Sequence, residues 1–316
     1  LLSGSIRFMT IQDDYSKITA ASQRIAPYVR RTTVLVSLKL NEALGTRVWL
    51  KCEHLQHTGA FKFRGACNAL LQLSEEQRAR GVYTVSSGNH GAALAAAGQQ
   101  LGVKVRVGVA ADASEFKREN MARYGAELIT IDPGMAAREA FVAAQKPTGR
   151  EFIPPYNHAH IWQGQGTAAH ELMLEQPDLD CVVAPLGGGG LLSGTATAAK
   201  ANRVPKVYGV EPELAADGQA SFRTGVLQPA MPPMSVCDGL LTSVGDKTFA
   251  VIRQRVDDIL VVTDSEALAA QKLVFELTEQ WIEPSSATVI AAIQRYPELF
   301  AGQRIGVIIS GGNLAR

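Results

Sequence analysis

Val82-Tyr83-Thr84-Val85-Ser86-Ser87-Gly88-Asn89-His90-Gly91 joins a β-branched and aromatic run to a polar turn, and Ala92 to Leu101 then continues as an alanine-rich helix closed by Gly102. The same alternation follows. Lys104 to Ala110 reads as a strand, Phe116 to Tyr124 as a helix, Glu127 to Ile131 as a strand and Ala136 to Ala144 as a helix. Strands separated by helices at this spacing are joined by crossovers, and crossovers build a parallel sheet. The unit is expected to cover residues 80–157 and to close at Pro154-Pro155.

Upstream, Thr10 to Ala26 has the apolar spacing of one or two short helices. Thr32 to Val36 and Val48 to Glu53 read as strands separated by a turn near Gly45. A helix follows Lys62 as far as about Leu73, and Ser74-Glu75-Glu76-Gln77 has the form of a capping box. Downstream, Gly164-Gln165-Gly166-Thr167 leads into a helix, and Cys181 to Leu186 is a buried strand ending in Gly187-Gly188-Gly189-Gly190. A small-residue helix begins at Leu191. Lys206 to Glu211, Ile259 to Thr263 and Arg304 to Ile309 are further strands, with helices at Ser265 to Gln280 and Ser286 to Arg295. The chain therefore builds part of a large domain (residues 9–79), inserts the small one, and returns to complete the first (residues 158–316). The fold class is α/β, with two domains built on open twisted parallel sheets.

The composition fits a globular enzyme. The 316 residues are 46% hydrophobic and 19% charged, which excludes a disordered chain. A net charge of +1 gives no reason to expect nucleic acid or a membrane surface as partner. The longest apolar runs, such as Ile305 to Ile309, have strand length and are far short of a membrane span. Cys52, Cys67, Cys181 and Cys237 are scattered, as reduced buried thiols of a cytoplasmic protein would be. Met9 offers a start codon position, with Leu1 to Phe8 as an extension before it.

Chemistry is concentrated at four places. Lys62 stands between Phe61 and Phe63 at a loop-to-helix junction, where partial burial would lower its pKa and free a nucleophilic amine. Such an amine suits a Schiff base with an aldehyde cofactor. Three turns, Ser86 to Gly91, Gly187 to Gly190 and Ser310 to Asn313, each follow a strand. Ligands of open α/β sheets bind at the carboxyl ends of strands, so all three are expected on one side of the fold. The four glycines make the natural phosphate cradle, since backbone amides and a helix N-terminus can approach an anion there. A dinucleotide site is the alternative. Gly187 to Leu192 meets its glycine pattern loosely, and Glu211 ends the next strand, where a ribose-binding acid would stand. That reading leaves Lys62 and two of the turns without work.

Taken together, Phe61-Lys62-Phe63-Arg64-Gly65-Ala66, Ser86 to Gly91, Gly187 to Gly190 and Ser310-Gly311-Gly312-Asn313 resemble the pyridoxal-phosphate enzymes of the tryptophan-synthase-β fold. Within these the chain is similar to the serine/threonine dehydratase and serine racemase branch, from about Ile18 to Asn313. The resemblance implies that Lys62 carries pyridoxal 5′-phosphate and acts as the α-proton base. Phe61 would pack near the cofactor, Asn89 would bond its 3′-oxygen, Gly187, Gly188, Gly189 and Gly190 would hold its phosphate, and Ser310 would face its pyridine nitrogen. Ser86, Ser87 and the amides around His90 would receive the substrate carboxylate. Ser87 matches the opposite-face acid or base of the racemases, whereas His90 could equally be a turn histidine satisfied by its neighbours.

The resemblance also implies a divalent-cation site of Glu211, Asp217 and the Ala215 carbonyl, taking Mg²⁺, Ca²⁺ or Mn²⁺; a pair of solvated loop acids is the alternative. Arg138 matches an arginine that can reach a distal substrate carboxylate, against the alternative of an exposed helical arginine. Asn157 matches a residue near the substrate. His158 and His160 have no third metal ligand nearby in sequence. Ala60, Thr33 and Ala92 depart from the residues usual in the family. The activity implied is a dehydratase converting threonine, serine or 3-hydroxyaspartate to a 2-oxo acid and ammonia, with racemisation as the alternative. A homodimer is the expected assembly.

Overall fold

The computed structural model describes residues 10–314, so the expected start at Met9 and the extension before it lie outside the described residues. Ten strands form two sheets: β1 (Val34–Leu35), β2 (Arg47–Cys52), β3 (Val82–Val85), β4 (Val105–Ala110), β5 (Glu127–Ile131), β6 (Glu151–Phe152), β7 (Cys181–Pro185), β8 (Lys206–Pro212), β9 (Asp258–Val262) and β10 (Arg304–Ile309). The larger sheet has the order β1-β2-β10-β7-β8-β9, and the smaller one β5-β4-β3-β6. Every pairing is parallel except β1 with β2.

The central strands are apolar along their whole length because helices cover both faces of the sheet. All of β7 is buried, and so is all of β10 after Arg304. One core lies on the side of the helices Asp264–Thr278 and Pro284–Arg295, and another on the side of Ala159–Glu175 and Gly190–Ala201. The core of the smaller sheet takes in Phe63, Ala66 and Leu70 from the helix Lys62–Leu71, which packs on the helix Asn89–Leu101.

Several elements differ from the sequence reading. The expected strand at Thr32 to Val36 shrinks to two residues, and the turn at Gly45 stands where expected but is preceded by a helix the sequence reading lacked, Leu38–Leu44. Ser37 starts it by accepting from Leu40 N, and Gly45 ends it in the left-handed conformation. The glycines of Gly164-Gln165-Gly166 do not precede a helix but lie inside one, Ala159–Glu175. Their use is close approach. A Cβ on Gly166 would stand 2.8 Å from the Cα of Gly194 in the neighbouring helix, and one on Gly164 2.8 Å from the Cα of Gly65. Packing that tight outweighs the helix-interior cost of glycine, about 1 kcal/mol each. The helix Asp246–Arg255 and the short strand β6 had no clear sequence signal.

Candidate active site

The carboxyl ends of β3, β7 and β10 open into one cavity of about 210 Å³, and all three glycine-bearing turns line it. Lys62, the first residue of its helix, lines the same cavity. Its turn is tied to the Ser310 loop: Phe61 N–H donates to Ser310 O at 3.0 Å, Gly312 N–H to Gly59 O at 3.0 Å, and Ala60 bridges Gly311. Phe61 borders the cavity, its ring centroid 5.1 Å from Lys62 Nζ.

Two residues along the helix, the fully buried Arg64 anchors this arrangement. It makes paired hydrogen bonds to Glu53 (2.7 and 2.9 Å) and to Glu171 (2.7 and 2.8 Å), and Lys51 meets Glu171 at 2.6 Å. Bidentate guanidinium–carboxylate pairs fix direction as well as distance, so the Lys62 end of the helix is held in register with β2 and the helix Ala159–Glu175.

The Lys62 amine donates to Pro155 O at 2.8 Å. Burial pushes its pKa down to about 8, and the negative charge of Glu283 resists that shift. The free amine is therefore accessible near neutral pH.

Gly187 to Gly190 line the cavity at the start of the helix Gly190–Ala201. Gly189 has φ +88° at the N-cap of the helix Gly190–Ala201. A Cβ on Gly188 would come within 2.2 Å of the Tyr156 ring, and one on Gly190 within 2.3 Å of Gln165 Oε1. Hydrogen is the only substituent the space allows. The first amides of a helix have no partner within it, and Gly190 and Leu191, which carry two of them, line the cavity. Thr248 Oγ1 steadies the loop by donating to Gly188 O at 2.8 Å. Ser310 is buried with its hydroxyl 2.8 Å from that of Ser286, so the group it would offer a pyridine nitrogen is a neutral hydroxyl. These residues fit pyridoxal phosphate.

Asn89 also lines the cavity. Its Nδ2 donates to both oxygens of Glu283 (3.2 and 3.3 Å), and its Oδ1 accepts from Asn313 Nδ2 (2.8 Å). Ser86 Oγ accepts from the amides of Gly88 and Gly91 (3.3 and 3.1 Å), and Ser87 Oγ from Ala110 N (3.3 Å), so both hydroxyl protons remain free to donate. His90 is buried, with Nε2 3.1 Å from Ile153 O and Nδ1 without a hydrogen-bond partner among the described residues. Burial and the nearby Lys62 charge push it down to about 3, so it is neutral. Arg138, on the helix Met135–Gln145, is part of the lining rather than an exposed helical residue.

Asn157 is not in the lining, although its neighbour Tyr156 is. Asn157 donates to Asp246 Oδ1 (2.6 Å) and accepts from Lys247 N (3.0 Å), closing the N-terminus of the helix Asp246–Arg255. Its amide is consumed by an orphan helix donor and an acid of the first turn. His158 is likewise structural: its Nδ1 accepts from His160 N at the start of the helix Ala159–Glu175.

Glu211 and Asp217 are 1% and 3% exposed, so they are not solvated loop acids. Glu211 accepts from Gly218 N (3.0 Å) and Gln219 N (2.7 Å). Each oxygen accepts one backbone N–H, and Glu211 lies outside the cavity lining, so it does not stand where the dinucleotide alternative needs a ribose-binding acid. Burial pushes Glu211 well above the carboxylate range and Asp217 up to about 6, and Asp217 Oδ2 has no hydrogen-bond partner among the described residues. Two buried carboxyls with an orphaned oxygen fit a hard cation with water completing its shell. Among the described residues, no group of three His, Cys, Asp or Glu side chains could hold a metal.

Sequence reasoning missed Tyr156, Lys117, Asp238, Glu283 and Ser285, which also line the cavity. Glu283 had one usable signal, its place before Pro284 at a helix start. The others lie on loops and helices whose facing is set only by tertiary packing.

A family model described as pyridoxal-phosphate dependent enzyme matches residues 25–311. The chain is 40% identical to the beta-hydroxyaspartate dehydratase of Paracoccus denitrificans, over 95% of this chain and 96% of that one. It is 42% identical to the L-threo-3-hydroxyaspartate ammonia-lyase of Saccharomyces cerevisiae, over 95% and 93%. Among solved structures, the serine racemase of Dictyostelium discoideum superposes with a TM-score of 0.91 at 41% identity, covering 96% of this chain and 99% of the other.

Proposed function

We propose, for a chain that belongs to the pyridoxal-phosphate dependent enzymes, an ammonia-lyase that converts a 3-hydroxy amino acid, 3-hydroxyaspartate above all, to a 2-oxo acid and ammonia. The observation that carries the choice of substrate is Arg138 in the same cavity as Lys62 and the Ser86–Ser87 turn. A second carboxylate entering this cavity meets a guanidinium fork suited to it. Two of the relatives described above carry hydroxyaspartate in their names.

Bound at Lys62, pyridoxal phosphate supplies an electron sink for the pair left behind when the α-proton departs. The residues around it supply the rest. Gly187 to Gly190 fix the phosphate end through backbone amides, and Asn89 fixes the opposite edge. Ser86 and Ser87 donate to the α-carboxylate, and Arg138 to the distal one, so the α-hydrogen is presented to Lys62. Displaced by the substrate's own amine, Lys62 Nζ, whose pKa burial lowers to about 8, would take that proton. Lys62 would return that proton to the departing β-hydroxyl, which leaves as water, and the released enamine would take up water to give the 2-oxo acid and ammonia. Ser310 would offer a ring nitrogen a neutral hydroxyl in place of a carboxylate, a weaker support for the electron sink.

A second activity has its own support. Ser87 lines the cavity with Lys62 and keeps a transferable hydroxyl proton. Proton removal at Lys62 and return from Ser87 would racemise serine, the activity named for the superposed Dictyostelium enzyme. Glu211, the Ala215 carbonyl and Asp217 would hold Mg²⁺ (or Ca²⁺ or Mn²⁺) in a structural role; the unpartnered Asp217 Oδ2 supports this.

The test is 2-oxo acid release from 3-hydroxyaspartate isomers, L-serine and L-threonine, by the wild type and Arg138→Ala. The proposal expects the loss in kcat/KM to be confined to 3-hydroxyaspartate and to be on the order of a hundredfold, the worth of a charge-assisted pair. Equal losses on all three substrates, or none, would remove Arg138 as the selector.

A further inference from the structure

Glu283 is a buried acid that no step above employs. It stands at the N-cap of the helix Pro284–Arg295 with extended backbone, and its residue surface is 5% exposed. Its N–H donates to Gly311 O at 3.0 Å, and a Cβ on Gly311 would lie 2.7 Å from Glu283 Oε1, so the Ser310 loop packs flush against the carboxyl. Four charged or titratable groups surround it. Lys62 comes from the helix Lys62–Leu71, Lys117 from the helix Glu115–Ala122, and Asp238 and the Cys237 thiol from the turn at Asp238–Leu240. Lys117 is already paired with Asp238. Lys62 is left as the electrostatic counterpart of Glu283.

The Asn89 amide has two N–H bonds. One is taken by Glu283, and the carbonyl oxygen is held by Asn313 Nδ2, which also donates to Thr58 O at 2.7 Å. The remaining N–H is thereby fixed in direction. A carboxylate at one end and an amide at the other leave Asn89 a single orientation.

We propose that Glu283 is a positioning residue of the site, its carboxylate aiming the free N–H of Asn89 at the cofactor and holding a negative charge opposite the Lys62 amine. This rests on the reading of Lys62 as the cofactor-bearing lysine. Burial pushes Glu283 up to about 7, so the negative charge is present above neutrality and fades below it.

Two measurements on the cofactor-free, full-length protein test this without reference to turnover. In the first, Lys62 acetylation is followed against pH by peptide mass spectrometry. Removing the opposing charge in Glu283→Gln is expected to lower the Lys62 midpoint by on the order of one pH unit. In the second, pyridoxal-phosphate affinity is measured for Asn89→Ala, Glu283→Ala and the double variant. Each single change is expected to weaken binding about tenfold, and the double no further, because both remove the same bond. An unmoved Lys62 midpoint, or losses that multiply in the double variant, would overturn the proposal. Should Glu283→Ala fail to fold, the Glu283→Gln midpoint decides. Lys62→Ala tests the underlying reading separately: if that variant still captures the cofactor covalently, Lys62 is not its lysine, whatever Glu283 does.

Discussion

The side-chain amine of Lys62 donates to the carbonyl oxygen of Pro155 across 2.8 Å, joining the turn before the Lys62 helix to the segment that leaves the smaller sheet. Among the described residues no carboxylate pairs directly with the amine, and a carbonyl compensates a buried ammonium only in part.

Cofactor capture by the cofactor-free protein should therefore rise with pH and level off above about 8, where burial places the Lys62 pKa. The sign follows from the chemistry, since only the unprotonated amine attacks an aldehyde. Capture rates measured from pH 6 to 10 check this; a rise that continues past about 10, as for a solvated lysine, would mean that the amine is not buried.

The charge cluster beneath the site predicts a stability effect. In Arg64→Met, Glu53 loses its cationic partner and Glu171 keeps only Lys51. Leaving a buried carboxylate without its cation costs about 3–5 kcal/mol. Urea unfolding should show that loss with cofactor absent as well as present, because the cluster lies outside the cavity.

The buried carboxyl pair predicts a response to cations. Mg²⁺ should raise the melting temperature of the wild type and leave that of Asp217→Ala unchanged, since the orphaned Oδ2 is the oxygen most in need of a partner. A calorimetric scan with and without Mg²⁺ reads this directly. An equal rise in both proteins would place the ion elsewhere.

How much of this was legible beforehand depended on how local each signal was. The βαβ alternation from Val82 onward, the Gly187 to Gly190 turn and the Lys62 junction are written in neighbouring residues, and the sheets and cavity contain them much as read. Gly164 and Gly166 were misplaced because their partners, Gly65 and Gly194, are far away in sequence; a glycine used for helix contact looks like one used for a turn. Asn157 was aimed at the substrate by resemblance, but Asp246 and Lys247 claim its amide. Glu283 went unnoticed because only the fold brings it to Asn89, 194 positions earlier.

The central claim is that Lys62 carries pyridoxal phosphate. Borohydride reduction of the cofactor-loaded protein, followed by digestion and mass spectrometry, fixes the cofactor on whichever lysine holds it. The account predicts a single modified peptide, containing Phe61-Lys62-Phe63, and none from Lys62→Ala. Modification at another lysine, or a wild type that reduction leaves unlabelled, would contradict it.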